Sequence, residues 1–227
     1  VWFLRSARTV CQGCSTGCNA YLDFDPRTNT PHRHRPRENA EVNKYWMCDE
    51  GMLSYRDAVD GRAKNALVGG SAKPVEEAIA AAKDLLKGAL GKSDKVAIVL
   101  SAQHSLEDNW ALYTLGRTFL GVERFFVTGK PLGRADDILM SADKNPNTKG
   151  VLKLCEAAPP RPLQDLIQSE DKFEYVIALG AHVEVDDAEL RAALRGKKVV
   201  SIATHTGPLT ESAKVVLPAA AWAEVDS

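Results

Sequence analysis

The sequence predicts an α/β protein in which a small cysteine-stapled domain precedes an incomplete, mostly parallel α/β domain. Two observations support this fold class. Four of the five cysteines fall within residues 1–64, a stretch rich in turn formers and without long helical periodicity. From about residue 65, helices alternate with short apolar strands, a pattern typical of a parallel sheet covered by helices. We therefore expect one domain at 1–64 and a second, Rossmann-like domain at 65–227.

Composition indicates a globular chain and excludes several classes of function. Of the 227 residues, 44% are hydrophobic and 26% are charged, and no apolar run approaches the ~20 residues that a membrane helix requires. The formal net charge of -1 offers no broad basic surface for nucleic acid. The sequence shows no secretory leader, so we expect a cytoplasmic location without direct membrane insertion. Since the chain begins at Val1 and stops at Ser227 just after an apolar run, we expect it to be a fragment.

The second domain is predicted to begin with a helix and to continue with two βαβ units, whose crossovers should be right-handed. Pro74 suits the first turn of that helix, and Gly91 ends it. Its apolar face is expected to comprise Val75, Ile79, Leu86 and Leu90. A second helical face is expected at Leu112, Leu115 and Phe119, and a third helix at about 186–194. The predicted strands are 96–100, 124–127, 176–180 and 199–203.

Four cysteines form the most specific motif in the sequence. Cys11, Cys14 and Cys18 follow one another as Cys-x2-Cys-x3-Cys, and Cys48 comes from a distant segment. A [4Fe-4S] cluster needs four thiolates, one for each iron, and this spacing supplies three from one loop and the fourth from elsewhere. Glycines within the loop allow left-handed backbone and let N–H groups approach sulfur. The sequence therefore predicts one [4Fe-4S] cluster on Cys11, Cys14, Cys18 and Cys48.

Two other uses of four cysteines compete with the cluster. Structural zinc sites also use four thiolates, but they usually come as two Cys-x2-4-Cys pairs, and here the second pair is missing. Disulfides require an oxidising compartment and usually an even number of cysteines, and the chain has five. The spacing favours the cluster over both alternatives.

Two features flank the cysteines. The basic run at 32–37 is predicted to be a solvated strand face, and the alternative is that its cations offset the negative charge of the cluster. Trp46 precedes Cys48 closely and is expected to pack over the cluster, where an apolar cover would exclude water.

Segments around the cysteines resemble the iron-sulfur domain of the molybdopterin oxidoreductase superfamily. The matching segments are CQGCSTGCN at 11–19, RPREN at 35–39 and VNKYWMCDEG at 42–51. Within the superfamily the chain looks most like the branch formed by the G subunit of NADH-quinone oxidoreductase (respiratory complex I, an NADH dehydrogenase). Shorter segments at 107–109, 142–150 and 210–221 agree with it, so the resemblance spans nearly the whole chain.

This resemblance implies an electron-transfer or structural role inside an NADH-quinone oxidoreductase complex. It implies the other subunits as partners, including the flavin- and NADH-binding subunit, and through them a location on the cytoplasmic side of the inner membrane. Relatives with this cluster are thought to hold it off the main electron route, which favours a stabilising role.

One departure from the superfamily pattern bears on catalysis. Catalytic members hold molybdenum or tungsten between two pterin nucleotides and often carry lysine two residues after the fourth cluster cysteine, where this chain has Glu50. A carboxylate cannot act as that cationic donor. Cys155 lies in an apolar segment and is expected to pack as a small hydrophobe rather than to bind metal. We therefore expect no molybdopterin and no substrate site in this chain. The alternative is the N-terminal part of a molybdenum or tungsten bis-pterin oxidoreductase such as formate dehydrogenase.

Overall fold

The computed structural model describes residues 3–156, 158–169 and 172–225. The described residues divide into two compact units. The first comprises 3–62, 131–146 and 220–225, and the second comprises the described residues of 63–130 and 147–219. The predicted fold class is confirmed, because the protein has a small antiparallel sheet and a larger, mostly parallel one. The predicted division of the chain between residues 64 and 65 stays a prediction.

The first unit contains a three-stranded antiparallel sheet in the order β1-β2-β3. Its strands are β1 (Arg5–Val10), β2 (Asn19–Asp25) and β3 (Thr30–Pro36), followed by a short helix, α1 (Asp49–Leu53). Asn29 takes a positive φ of 54° in the turn between β2 and β3, a conformation that asparagine tolerates well. On β2, Ala20 and Leu22 are buried, which gives the small sheet one apolar face.

The carboxylate of Asp23 binds three partners from the neighbouring strands. Arg35 donates from Nε at 2.7 Å, Arg33 donates from Nε at 2.5 Å, and the hydroxyl of Ser6 donates at 2.6 Å. The Asp23 side chain is 2% exposed. The hydrogen bond from Arg35, with those from Ser6 and Arg33, holds the pKa of the Asp23 carboxyl well below its usual range, although burial opposes this shift. These hydrogen bonds link all three strands of the sheet.

Replacing Asp23 by asparagine is expected to lower the free energy of unfolding at pH 7 by about 2 kcal/mol, the scale of hydrogen bonds to charged groups. The two arginine side chains are 53% and 41% exposed, so water screens part of the charge interaction. Since the folded pKa is depressed, the contribution of Asp23 is fully present above about pH 4 and disappears as the pH falls.

Urea unfolding of wild type and Asp23→Asn at pH 7 and pH 3, followed by circular dichroism, tests this expectation. The difference between the two proteins should shrink at pH 3. Asp60→Asn removes an exposed carboxylate from the same unit and serves as the control. A difference of equal size at both pH values would contradict the role of the Asp23 charge.

The second unit contains an eight-stranded sheet in the described part of the chain, in the order β5-β4-β11-β10-β9-β6-β7-β8. In the order of the sheet, pairing is parallel from β11 through β10, β9, β6 and β7 to β8. Pairing is antiparallel between β11 and β4 and between β4 and β5. The strands are β4 (Ala66–Val68), β5 (Ser71–Lys73), β6 (Val96–Ser101), β7 (Phe125–Thr128), β8 (Arg161–Pro162), β9 (Tyr175–Leu179), β10 (Lys198–Ala203) and β11 (Val215–Pro218). The four predicted strands correspond to β6, β7, β9 and β10.

Helices cover this sheet, and its central strands are buried along their whole length. Every residue of β6 and β9 is buried, as expected of parallel strands packed on both faces. One apolar cluster includes Ile98 and Ile177, and a second includes the alternate residues Val99 and Val176. The helices of the unit are α2 (Val75–Lys87), α3 (Leu106–Thr114), α4 (Thr148–Leu154), α5 (Leu163–Gln168), α6 (Asp187–Leu194) and α7 (Pro208–Glu211).

The buried face of α2 differs from the prediction. Of the predicted face only Leu86 packs against the core, whereas Val75, Ile79 and Leu90 are exposed. The other residues of α2 that pack there are Ala78, Ala81, Ala82 and Leu85. Ala78 follows Val75 by three residues, which is a rotation of about 300° around the helix axis and therefore about 60° short of a full turn. The buried face thus lies about 60° from the predicted one. Small alanine side chains let the helix approach the sheet closely. On the helical face predicted around α3, Leu112 is buried but Phe119 is exposed.

None of the helices in the described ranges combines the length and the apolar character needed to cross a membrane.

Candidate metal centre

The four cysteines of the predicted cluster lie around one pocket of the first unit. Cys11 directly follows β1 and Cys18 directly precedes β2, and the Cys11 N–H donates to the Cys18 carbonyl at 2.8 Å. Cys14 lies in the loop between them, and Cys48 is the N-cap residue of α1. All four carry free thiols. The structure therefore brings the predicted ligands together, and their role as ligands stays a prediction.

Backbone groups contact two of the sulfurs. The N–H of Gly13 donates to Cys11 Sγ and the N–H of Gly51 donates to Cys48 Sγ, both at 3.3 Å. A Cβ atom on Gly51 would lie 3.2 Å from Cys11 Sγ and 3.4 Å from Cys48 Sγ, so glycine is needed for this close approach. Gly17 takes a positive φ of 66° in the loop. The N–H groups direct positive dipoles at the two sulfur atoms.

Burial raises the pKa of two of the thiols, those of Cys18 and Cys11. It raises the pKa of the Cys18 thiol to about 12, and the neighbouring Cys11, Cys14 and Cys48 add to this shift. Burial also raises the pKa of Cys11, although the Gly13 N–H and Ser54 oppose that shift. Four thiolates so close to one another require a bound cationic group to replace their protons.

A wall of the pocket comes from residues 131–146, a segment without a predicted helix or strand. Leu139, Met140 and Lys144 line the pocket. This segment is bonded to the cysteine loop: the Ser15 N–H donates to the Asp143 carbonyl at 2.8 Å, and the Thr16 hydroxyl donates to the Leu139 carbonyl at 2.7 Å. The only sequence signal was that 142–150 matches the superfamily pattern, and this signal does not indicate a contact with the cysteines.

Asn43 orders the segment that carries Cys48, although no sequence pattern marks Asn43 as part of the site. Its side chain is buried and accepts from the Asn19 N–H at 3.0 Å. Its amide donates to the carbonyls of Trp46 at 3.0 Å and Arg37 at 3.2 Å. These bonds tie the start of β2 to the chain just before Cys48.

Trp46 does not cover the pocket as predicted. Its side chain is 64% exposed, while the next residue, Met47, is buried and lines the pocket. Asn43 explains the difference, because its bond to the Trp46 carbonyl fixes the backbone with Met47 inward and the indole outward.

The basic run at 32–37 lies on β3 and divides between two faces. Arg33 and Arg35 are partly exposed and bind Asp23. His34 is buried between them, and its Nδ1 lies 3.2 Å from the Gly51 carbonyl and 3.2 Å from the Ser54 hydroxyl. Burial lowers the pKa of His34, which favours the neutral ring. The run is thus part solvated face and part packing beneath α1.

Cys155 belongs to the apolar core of the second unit, where burial raises the pKa of its thiol to about 11. It packs there with Val151, in agreement with the expected hydrophobic role. Across the described ranges, no group of three or more Cys, His, Asp or Glu side chains could hold a single metal ion.

Comparison with known proteins finds similar oxidoreductase subunits, although no family model matches the chain. The chain is 31% identical over 203 residues to the G subunit of NADH-quinone oxidoreductase from Escherichia coli strain K12. It is 28% identical over 196 residues to the corresponding G subunit from Pseudomonas fluorescens. Each match covers 86% of this chain and 19% of the relative. "NADH-quinone oxidoreductase subunit 3" of Thermus thermophilus is 34% identical over 111 residues, which are 47% of this chain and 14% of the relative.

Fold and site together define an α/β protein with a four-cysteine pocket on a small antiparallel sheet. The similarity is more specific: the chain is homologous to a segment of the G subunit of NADH-quinone oxidoreductase, and the resemblance predicted from the cysteine motif is confirmed. The chain spans about a fifth of the length of these relatives, 19% in each case.

Proposed function

We propose that the chain binds one [4Fe-4S] cluster on Cys11, Cys14, Cys18 and Cys48. In this proposal it is an electron-transfer or structural segment of a protein similar to the G subunit. Its partners are the other subunits of an NADH-quinone oxidoreductase complex, which hold it at the cytoplasmic side of the inner membrane. Oxidoreductase activity then belongs to the assembled complex, and this chain has no substrate site of its own.

The observation that carries the proposal is the convergence of four cysteines on one pocket whose other walls are mainly glycine and apolar side chains. The donor set fits the group, since each iron of the cube takes one thiolate. When bound, the cluster accepts or releases single electrons. The chain contributes the four sulfurs and two N–H donors to them. Met47, Leu139 and Met140 exclude water from the pocket.

The spacing of the four cysteines favours a cluster over zinc, because the second Cys-x2-4-Cys pair of a typical zinc site is missing. Zinc–sulfur bonds of about 2.3 Å in a tetrahedron bring the four sulfurs within about 3.8 Å of one another. A cube instead binds its four thiolates through four separate irons, so they lie further apart. Sulfur–sulfur distances measured in the metal-loaded protein would therefore distinguish a cluster from zinc.

Anaerobic purification followed by metal and sulfide analysis tests the proposal. We expect about four irons and about four acid-labile sulfides per chain, with no stoichiometric zinc, molybdenum or tungsten. A colourless protein that contains zinc alone would contradict the cluster. Stoichiometric molybdenum or tungsten with a bound pterin in the full protein would instead support a bis-pterin oxidoreductase.

A further inference from the structure

The pocket is lined by one ion pair. Among the described residues around it, Lys144 supplies the cation and Glu50 the carboxylate. Lys144 Nζ lies 3.0 Å from Glu50 Oε2. The two side chains differ in burial, since Lys144 is 13% exposed and Glu50 is 60% exposed.

The lysine is held in place by its own segment. Its aliphatic stem lies against the backbone of Gly133, where an added Cβ would come within 2.5 Å of Lys144 Cε. The Gly133 N–H donates to the Ala142 carbonyl at 2.9 Å, and the Ser15 N–H donates to the Asp143 carbonyl at 2.8 Å. Hydrogen bonds therefore fix the backbone at Ala142 and Asp143, just before Lys144. The carboxylate of Glu50 directs the ammonium group to the pocket.

Burial decides which charge of the pair dominates inside the pocket. Water screens the field of the exposed Glu50 carboxylate strongly, whereas the field of the charge on the largely buried Lys144 side chain is screened less. An iron-sulfur centre with four thiolates is negatively charged and becomes more negative when it takes up an electron. A buried cation beside it therefore favours the reduced form.

We propose that Lys144, positioned by Glu50, raises the reduction potential of the cluster. This inference rests on the proposed function and adds to it a residue that tunes the centre without binding it. Lys144 reaches the pocket from a segment about a hundred residues after Glu50 in the sequence. Reduction adds one electron to the cluster, and Lys144 is not a ligand of the iron.

Redox titration of the anaerobically purified full chain, followed by electron paramagnetic resonance with dithionite as reductant, tests the proposal. Lys144→Met should keep the iron and sulfide content of the wild type and shift the midpoint potential to a lower value. Lys144→Arg should stay close to the wild type because the charge is kept. Glu50→Gln should shift the midpoint downward by less than Lys144→Met does, since the lysine keeps its charge but loses the carboxylate that directs it to the pocket. Arg134→Met removes a cation from an exposed position of the same segment and should leave the midpoint unchanged.

The outcomes separate this inference from the proposed function. Wild-type protein without iron and sulfide would overturn both. A loaded Lys144→Met protein with the wild-type midpoint would overturn the inference alone, as would an equal shift in Arg134→Met. If Lys144→Met fails to load, Glu50→Gln decides, because its exposed side chain can change without loss of the fold, and an unchanged midpoint there would overturn the role of the pair.

Discussion

Replacing Cys48 by serine is expected to lower iron and sulfide content at least about tenfold under anaerobic purification. Loss of a supporting residue around a metal site already costs 10–100-fold in affinity, and Cys48 is predicted to bind iron directly. Serine keeps nearly the size of the side chain but offers a hydroxyl, which is a far weaker acid than a thiol, stays protonated and is a poor ligand for iron. The Gly51 N–H that donates to Cys48 Sγ would then face oxygen.

Cys155→Ser is the matched control, because it makes the same chemical change at a buried cysteine of the second unit. Its iron and sulfide content should equal that of the wild type. Equal iron and sulfide content in wild type and Cys48→Ser would refute the assignment of Cys48 as a ligand, and loss of iron in Cys155→Ser would show that the cysteines were assigned wrongly. The protein must be handled without air, since oxidation of the thiols would empty the site in every variant.

Replacing Asn109 by leucine is expected to destabilise the second unit by about 3 kcal/mol. The Asn109 side chain is fully buried on α3 and accepts from the Ser101 N–H at 2.9 Å. It also donates to the carbonyls of Ser101 at 2.9 Å and Ser105 at 2.7 Å. Leucine fills a similar volume but leaves the buried Ser101 N–H without its acceptor, which costs about 1–3 kcal/mol, and removes the donated bonds as well.

Thermal unfolding measures this effect, and a decrease in Tm on the order of 6–12 °C is expected for a chain of this size. Glu107→Gln on the exposed side of the same helix should change stability by less than about 0.5 kcal/mol. Hydrogen exchange at the Ser101 amide should accelerate in Asn109→Leu more than exchange at the centre of β9. An unchanged Tm and an unchanged Ser101 exchange rate would show that the end of β6 does not depend on Asn109.

The elements of the second unit were predictable because their signals are local. Short apolar runs bounded by turn residues identified β6, β7, β9 and β10, and capping and periodicity identified α2 and α6. Local signals do not report how closely a helix approaches a sheet. The rotation of α2 depends on Ala78 and Ala82 fitting against the strands, and a reading of hydrophobicity gives more weight to Val75 and Ile79.

The candidate site was predictable only in its cysteines, because ligand spacing is read along the chain. Its remaining parts come from contacts between distant segments. Lys144 and Leu139 reach the pocket through hydrogen bonds of their segment to Ser15 and Thr16, and no periodicity or composition reports such a pairing. Asn43 is similar, since a buried amide that satisfies several backbone groups looks in sequence like any turn residue.

The order in which the ribosome makes this chain separates the two sides of the pocket. Lys144 is synthesised 96 residues after Cys48 (144 − 48), which takes roughly 5–20 s at usual elongation rates. During that interval the cysteines emerge without Leu139, Met140 and Lys144 beside them. A cluster inserted at that stage would be open to water and oxidants on one side. Because the first unit combines residues 3–62 with residues 131–146, the proposed cluster would be enclosed only if it is inserted after translation has passed residue 146.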